Sequence, residues 1–187
     1  CKPVESSAPK WRGTLSNVTP ISQMLAEEKI RHRICSPSSL AMAVSKIKGL
    51  TDIEANTVWK KLITLCYDLN INAYGSWPKA IYAASTFGVL GGIEAHADLE
   101  SAEKCLELGQ PVVCSIDYAK GKLRGAPLAS TKGHLVTLIG IEDEQILVMD
   151  PAAPEKSSIA REYDRKEFED AWLRNRGAGY YFCVTSE

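Results

Sequence analysis

Apolar positions change their period once along the chain, from helical spacing before about residue 110 to strand-like runs and alternation after Pro111. Leu40, Ala41, Val44 and Ile47 follow the i, i+4, i+7 spacing of one buried stripe. They predict a helix from about 37 to 48, opened by Pro37 and closed at Gly49. A second helix is predicted over 52–66, with Ile53, Val58, Trp59, Leu62, Ile63 and Leu65 forming its apolar side. Further helices are expected over 79–87, over 98–108 behind an Asp98 cap, and from the D-x-x-E capping box at Asp164 to about Arg174. Residues 112–118, 134–141, 145–149 and 179–184 read as strands, and the acidic turn 142–144 joins two of them into an antiparallel hairpin. Helices come first and antiparallel strands later, which is an α+β order. Residues 1–17, rich in Ser, Pro and Lys, read as a linker or tether with little regular structure, leaving 18–187 as one domain.

Composition narrows the function classes. At 187 residues and 45% hydrophobic content the chain can build one sizeable core. Its 22 basic and 23 acidic residues leave a formal charge of -1, so no general field attracts nucleic acid or an anionic membrane. No apolar run approaches the roughly 18 residues that a spanning helix needs. Six cysteines lie without a CxxC pair or zinc-type spacing, so neither a metal nor another cofactor is expected. The polar, Pro-containing stretch after Cys1 resembles the mature start of a bacterial lipoprotein. This sets a lipid anchor at Cys1, with an extracellular or cell-envelope location, against the alternative of a fragment boundary.

Candidate chemistry begins at Ile34-Cys35-Ser36-Pro37-Ser38-Ser39, which puts a thiol at a helix start. Unpaired N–H groups and the positive end of the helix dipole favour its thiolate there. Arg31, His32 and Arg33 precede it, either as a solvated face or as cations beside the thiolate or an acidic substrate. Of the three histidines, His134 opens a predicted strand, whereas Asp150 ends the next one. Pairing 134–141 with 145–150 around the 142–144 turn brings the two together, so that the carboxylate can orient an imidazole base. His96 and His32 are poorer candidates, the latter because two arginines flank it. An oxyanion hole could be built from the Cys35 backbone N–H and the Gln23 side-chain amide.

Taken together, Ile21-Ser22-Gln23, Cys35-Ser36-Pro37-Ser38-Ser39-Leu40-Ala41-Met42, Tyr74-Gly75-Ser76-Trp77-Pro78, Gly133-His134-Leu135 and Asp150-Pro151-Ala152 resemble the papain-like cysteine peptidases. The likeness covers about residues 18 to 184 and is greatest to the bacterial branch related to double-glycine leader peptidases of bacteriocin exporters. It implies N-terminal helices carrying the Cys, packed on a C-terminal antiparallel sheet carrying His and Asp. It further implies Gln23 in the oxyanion hole, Cys35 as nucleophile, His134 as base and then acid, and Asp150 orienting His134. Leader peptidases usually carry Gly after the Cys, where this chain has Ser36, and no ATP-binding or membrane segment follows here. Export of a bacteriocin is therefore not implied, although relatives of this branch often carry a further domain before the peptidase region.

The expected activity is hydrolysis of peptide bonds through a thioester, with a peptide or protein as substrate. Trp77, Ser36 and the 119–133 loop are expected to border the substrate. The alternatives are an acyltransferase or peptidoglycan amidase using the same residues, and a non-catalytic peptide-binding module on the same fold.

Overall fold

The computed structural model describes residues 13–95, 97–174 and 176–183. Cys1, most of the 1–17 linker, His96 and Val184 lie outside them. Helix α1 (Cys35–Lys48) begins at the cysteine itself and ends at Gly49, whose φ of 63° is the left-handed cap that glycine adopts without strain. Helix α2 (Asp52–Cys66) starts from a reciprocal capping box between Thr51 and Glu54. Helix α3 (Trp77–Ser85) starts two residues earlier than its pattern predicts, because Pro78 suits a first turn. Helices α4 (Leu99–Glu107) and α5 (Arg165–Trp172) are capped by Asp98 and Asp164, whose carboxylates accept from the backbone N–H of Ser101 and Glu167.

The strands are β1 (Gly13–Thr14), β2 (Gly91–Glu94), β3 (Val112–Tyr118), β4 (Thr131–Ile141), β5 (Gln145–Met149), β6 (Ala160–Asp164) and β7 (Gly179–Phe182). They form one antiparallel sheet in the order β2-β7-β3-β4-β5-β6, with β1 paired to the far end of β4. The β4–β5 hairpin is as expected, with Thr137 opposite Met149 and Ile141 opposite Ile146. Two departures concern the ends of the domain. Gly13–Thr14, expected within a linker, is a strand, because β4 outruns β3 and leaves an edge at Gly140 and Ile141 for β1 to pair. Strand β7 ends at Phe182.

Both faces of the sheet are covered. Helices α1, α2 and α3 pack on one face through a core including Leu40, Val44, Leu62, Val113, Ile139 and Tyr180. Helices α4 and α5 cover the other through Leu106, Phe168, Trp172, Ile116, Val136 and Val148. The helix-then-sheet order is thus an α+β domain with a second, smaller helical layer. Helix α1 is buried continuously from Ser36 to Ser45 rather than along one stripe, so its serines need internal partners. Ser38 Oγ accepts from Trp59 Nε1 at 2.9 Å, and Ser39 Oγ donates to the Leu135 carbonyl at 2.8 Å. Thr137 Oγ1 returns a bond to the Ser39 carbonyl at 2.9 Å, clasping α1 to β4. Ile53, assigned to the apolar side of α2, instead stands 81% exposed in its first turn.

Candidate active site

The clasp between α1 and β4 sets the first residue of the helix against the start of the strand. Cys35 is half-buried there, and its thiol hydrogen-bonds the His134 ring. His134 Nε2 lies 2.8 Å from Asp150 Oδ1, which leaves Nδ1 for the sulfur. This division of labour requires Nε2 to carry the proton shared with the carboxylate. Asp150 is fully buried. Its Oδ1 also accepts from the Ala152 backbone N–H at 2.9 Å, and its Oδ2 accepts from the Tyr163 hydroxyl at 2.8 Å. Every carboxylate oxygen therefore has a donor, as a charge in the interior demands.

Electrostatics follow from this enclosure. Burial by itself raises the Cys35 thiol, but the His134 hydrogen bond and charge, with the backbone N–H groups of Leu135 and Ser36, outweigh it and hold the thiol below its ordinary value. Burial opposes a proton on His134, yet the charge of Asp150 and hydrogen bonds to Asp150 and Cys35 push its pKa up to about 10. Burial likewise opposes the charge on Asp150, and the His134 charge reverses this and keeps its pKa low. Each shift favours the charged form of its group, so the geometry favours a thiolate beside an imidazolium and a carboxylate. The other cysteines with resolved shifts behave differently. Desolvation pushes Cys66 to about 12, raises Cys114 well above the ordinary range and raises Cys105.

Gln23 occupies a short 3-10 turn (Gln23–Leu25), 4% exposed, held by its backbone N–H to the Pro151 carbonyl at 2.9 Å. Its Nε2 donates to the Arg31 carbonyl at 2.6 Å, four residues before Cys35, while Oε1 is buried without a hydrogen-bond partner. The Arg31 carbonyl accepts only, so it fixes the amide nitrogen on this side. The second N–H of that amide is left for another acceptor. At the first position of α1, the Cys35 backbone N–H has no acceptor one turn earlier within the helix.

A groove of about 310 Å³ opens over Cys35, bordered by His32, Arg33, Tyr74, Trp77, Gly133 and Arg176 among others. Trp77 therefore reaches the groove while also packing against the α1 core. Of the 119–133 loop, Gly133 borders it. Ser36 does not: the expectation that it borders substrate fails because its side chain points inward, fully buried, with Oγ 2.8 Å from the Tyr180 hydroxyl. His32 joins the groove rim and not the buried row. Reading the sequence missed Tyr163, which sits in β6. Among the described residues no group of three or more His, Cys, Asp or Glu could hold a metal ion, and no helix is long and apolar enough to cross a membrane.

Comparison with known proteins adds a family to this geometry. The model described as Peptidase_C39 like family matches residues 15–180. A solved structure described as a C39-like peptidase from Bacillus anthracis is 19% identical, with a TM-score of 0.65 over 95% of this chain and 100% of that one. A double glycine motif protease from an AMS/PCAT transporter, solved with the leader peptide, is 18% identical, with a TM-score of 0.60 over 93% and 96% of the two chains. The peptidase domain of Streptococcus ComA, a bifunctional ABC transporter of a quorum-sensing pathway, is 16% identical, with a TM-score of 0.55 over 90% and 100%. No curated protein matches. At these identities the likeness to the solved structures is one of fold.

Proposed function

Because the chain belongs to the Peptidase_C39 like family, we propose that it is a cysteine peptidase that cleaves peptide bonds with Cys35, His134 and Asp150. The observation that carries this reading is the hydrogen-bonded row from buried Asp150 through His134 to the Cys35 sulfur. In the proposed reaction the Cys35 thiolate attacks the scissile carbonyl, forming a C–S bond and a tetrahedral oxyanion. The Cys35 backbone N–H and the free N–H of the Gln23 amide stabilise that oxyanion. His134 then donates its Nδ1 proton to the leaving amine as the C–N bond breaks, giving a thioester. Water enters and gives its proton to His134, its oxygen attacks the thioester carbonyl, and the collapsing intermediate expels the Cys35 thiolate. The peptide leaves as a carboxylic acid, which gives its proton to solvent, and the thiolate and imidazolium are regenerated.

Asp150 keeps the imidazole in the tautomer this cycle needs. The Gln23 amide nitrogen is tied to the Arg31 carbonyl four residues before Cys35, which supports its part in this scheme. The test is modification with iodoacetamide near neutral pH, mapped by peptide mass spectrometry. The expected result is that Cys35 is alkylated first and that Cys35→Ala removes the fast-reacting site. Fast labelling that persists in Cys35→Ala and maps to Cys66, Cys105 or Cys114 would refute the assignment.

A further inference from the structure

We propose that the groove over Cys35 selects peptides bearing an acidic side chain beside the scissile bond, with Arg33 and Arg176 as the residues that read it; this rests on the peptidase reading of the site. Two guanidinium groups border the groove, together with His32, and the lining contains no carboxylate. The surroundings make this an unbalanced site. Neither Arg33 nor Arg176 lies within ion-pair distance of a carboxylate among the described residues, whereas Arg31, Arg124, Arg165 and Arg174 each do.

Arg33 is also held in place rather than waving in solvent. Its Nη2 donates to the Asn72 carbonyl and, at 3.1 Å, to Asn72 Oδ1, and its guanidinium carbon stands 5.7 Å from the centre of the Tyr74 ring. Asn72 in turn accepts from the Tyr67 hydroxyl at 3.0 Å, and the Tyr67 and Tyr74 rings pack at 4.9 Å. Two aromatic rings and one amide thus pre-position the charge two residues before the nucleophile, which lowers the entropy lost when a carboxylate binds. The contacts of Nη2 leave other guanidinium donors for that carboxylate. Arg176 approaches from the sheet side. Its Nη2 donates to the Lys132 carbonyl at 3.5 Å, and its Nη1 lies 4.0 Å from where a Cβ on Gly133 would be, directly before His134. One cation therefore flanks the nucleophile and the other flanks the general acid. An extended substrate crossing the Cys35–His134 pair passes between fixed positive charges, and a neutral side chain there gains nothing from them.

The experiment uses peptide mixtures degenerate at every position but one, where Glu or its isostere Gln is fixed in turn on either side of the cleaved bond. Cleavage by the wild type is measured beside equilibrium binding of the same mixtures to Cys35→Ala. The expected result is a Glu-over-Gln preference of about 5–20-fold in kcat/KM and in binding at one or both flanking positions, as for a charge-assisted guanidinium–carboxylate contact. The ratio shrinks at high salt and falls toward unity in Arg33→Gln or Arg176→Gln. Because the readout is a ratio within one variant, a partly unfolded preparation does not imitate it. Equal cleavage of Glu and Gln peptides by the wild type would overturn the selectivity and leave the peptidase reading standing. A Glu preference in binding without cleavage by the wild type would uphold the selectivity and sink the peptidase reading. Absence of both binding preference and cleavage would overturn both.

Discussion

At the scale of single residues, the site is a hydrogen-bonded row in which each group favours the charged form of the next. The positions of Cys35 at the first residue of α1 and of Asp150 just past β5 were legible from spacing and turn chemistry, whereas β4 begins at Thr131, three residues before His134, which the sequence reading took as the strand's opening. The direction of Ser36 was not legible, since a residue next to the nucleophile points toward substrate or core according to the helix's rotation, which a helix buried almost all round conceals. Tyr163 is the residue to test next. Its hydroxyl donates to Asp150 and helps keep that carboxylate's pKa low. Tyr163→Phe is expected to lower kcat about 5–20-fold, from a lost bond of about 1–2 kcal/mol to a charged group, with KM nearly unchanged. The same change raises the Asp150 pKa, so the acid unfolding midpoint moves to higher pH; an unchanged midpoint and kcat would make Tyr163 a bystander. The alkylation rate of Cys35 against pH is a second check, expected to titrate below the ordinary thiol value of 9.0 because the thiol's pKa is lowered. In His134→Ala, where burial alone remains as the larger influence, that midpoint should rise; a midpoint at or above 9.0 in the wild type would contradict the row.

At the scale of elements, α1 and the β4–β5 hairpin deliver the reacting groups, and two hydrogen bonds decide their separation. Ser39 Oγ donates to Leu135, next to His134, and Thr137 donates back to Ser39. Ser39→Ala should destabilise the fold by about 1–3 kcal/mol, by leaving the Leu135 carbonyl without its hydroxyl donor, and Thr137→Val by about 0.5–1.5 kcal/mol, since the Ser39 carbonyl keeps its helical bond. Their effects should be non-additive in denaturant unfolding because the two bonds share Ser39 and the α1–β4 contact. Additive losses would show that the clasp does not act as a unit. Helices α1, α2, α4 and α5 and the central hairpin were evident from period and capping residues, whereas β2 and β6 were not. Strand β2 begins Gly91-Gly92, which reads as a turn, yet a Cβ at Gly91 would run into the Tyr181 carbonyl across the β2–β7 pair. Strand β6 runs Ala160-Arg161-Glu162-Tyr163-Asp164, with Tyr163 its one buried residue, so no alternation betrays it. That is why Tyr163 escaped notice. Gly140 carries a comparable constraint, since a Cβ there would lie 2.8 Å from Thr14 Oγ1 and 2.9 Å from the Gly13 carbonyl, forcing β1 off the sheet.

At the scale of the whole molecule, the site draws its parts from two layers, so stability and reactivity respond to the same charges. His134 has a folded pKa raised from 6.5 to about 10, so its contribution to stability is full below 6.5 and is lost as pH rises toward 10. Asp150 has a lowered folded pKa, so its contribution is present above 3.8 and is lost as pH falls below that value. The pair's joint contribution is therefore greatest between about pH 3.8 and 6.5. Denaturant midpoints measured against pH should show that plateau in the wild type and lose it in the His134→Ala, Asp150→Asn double variant. Order in sequence announced the layer of helices followed by the sheet, but not the α4–α5 layer behind it, because apolar strands of a sheet covered on both faces do not reveal how many layers cover them. The measurement that bears most directly on the central claim is digestion of an unbiased peptide library by the wild type beside Cys35→Ala, with new termini identified by mass spectrometry. New N- and C-termini from the wild type alone are the predicted result; the same cleavage products from Cys35→Ala, or none from a correctly folded wild type, would contradict it.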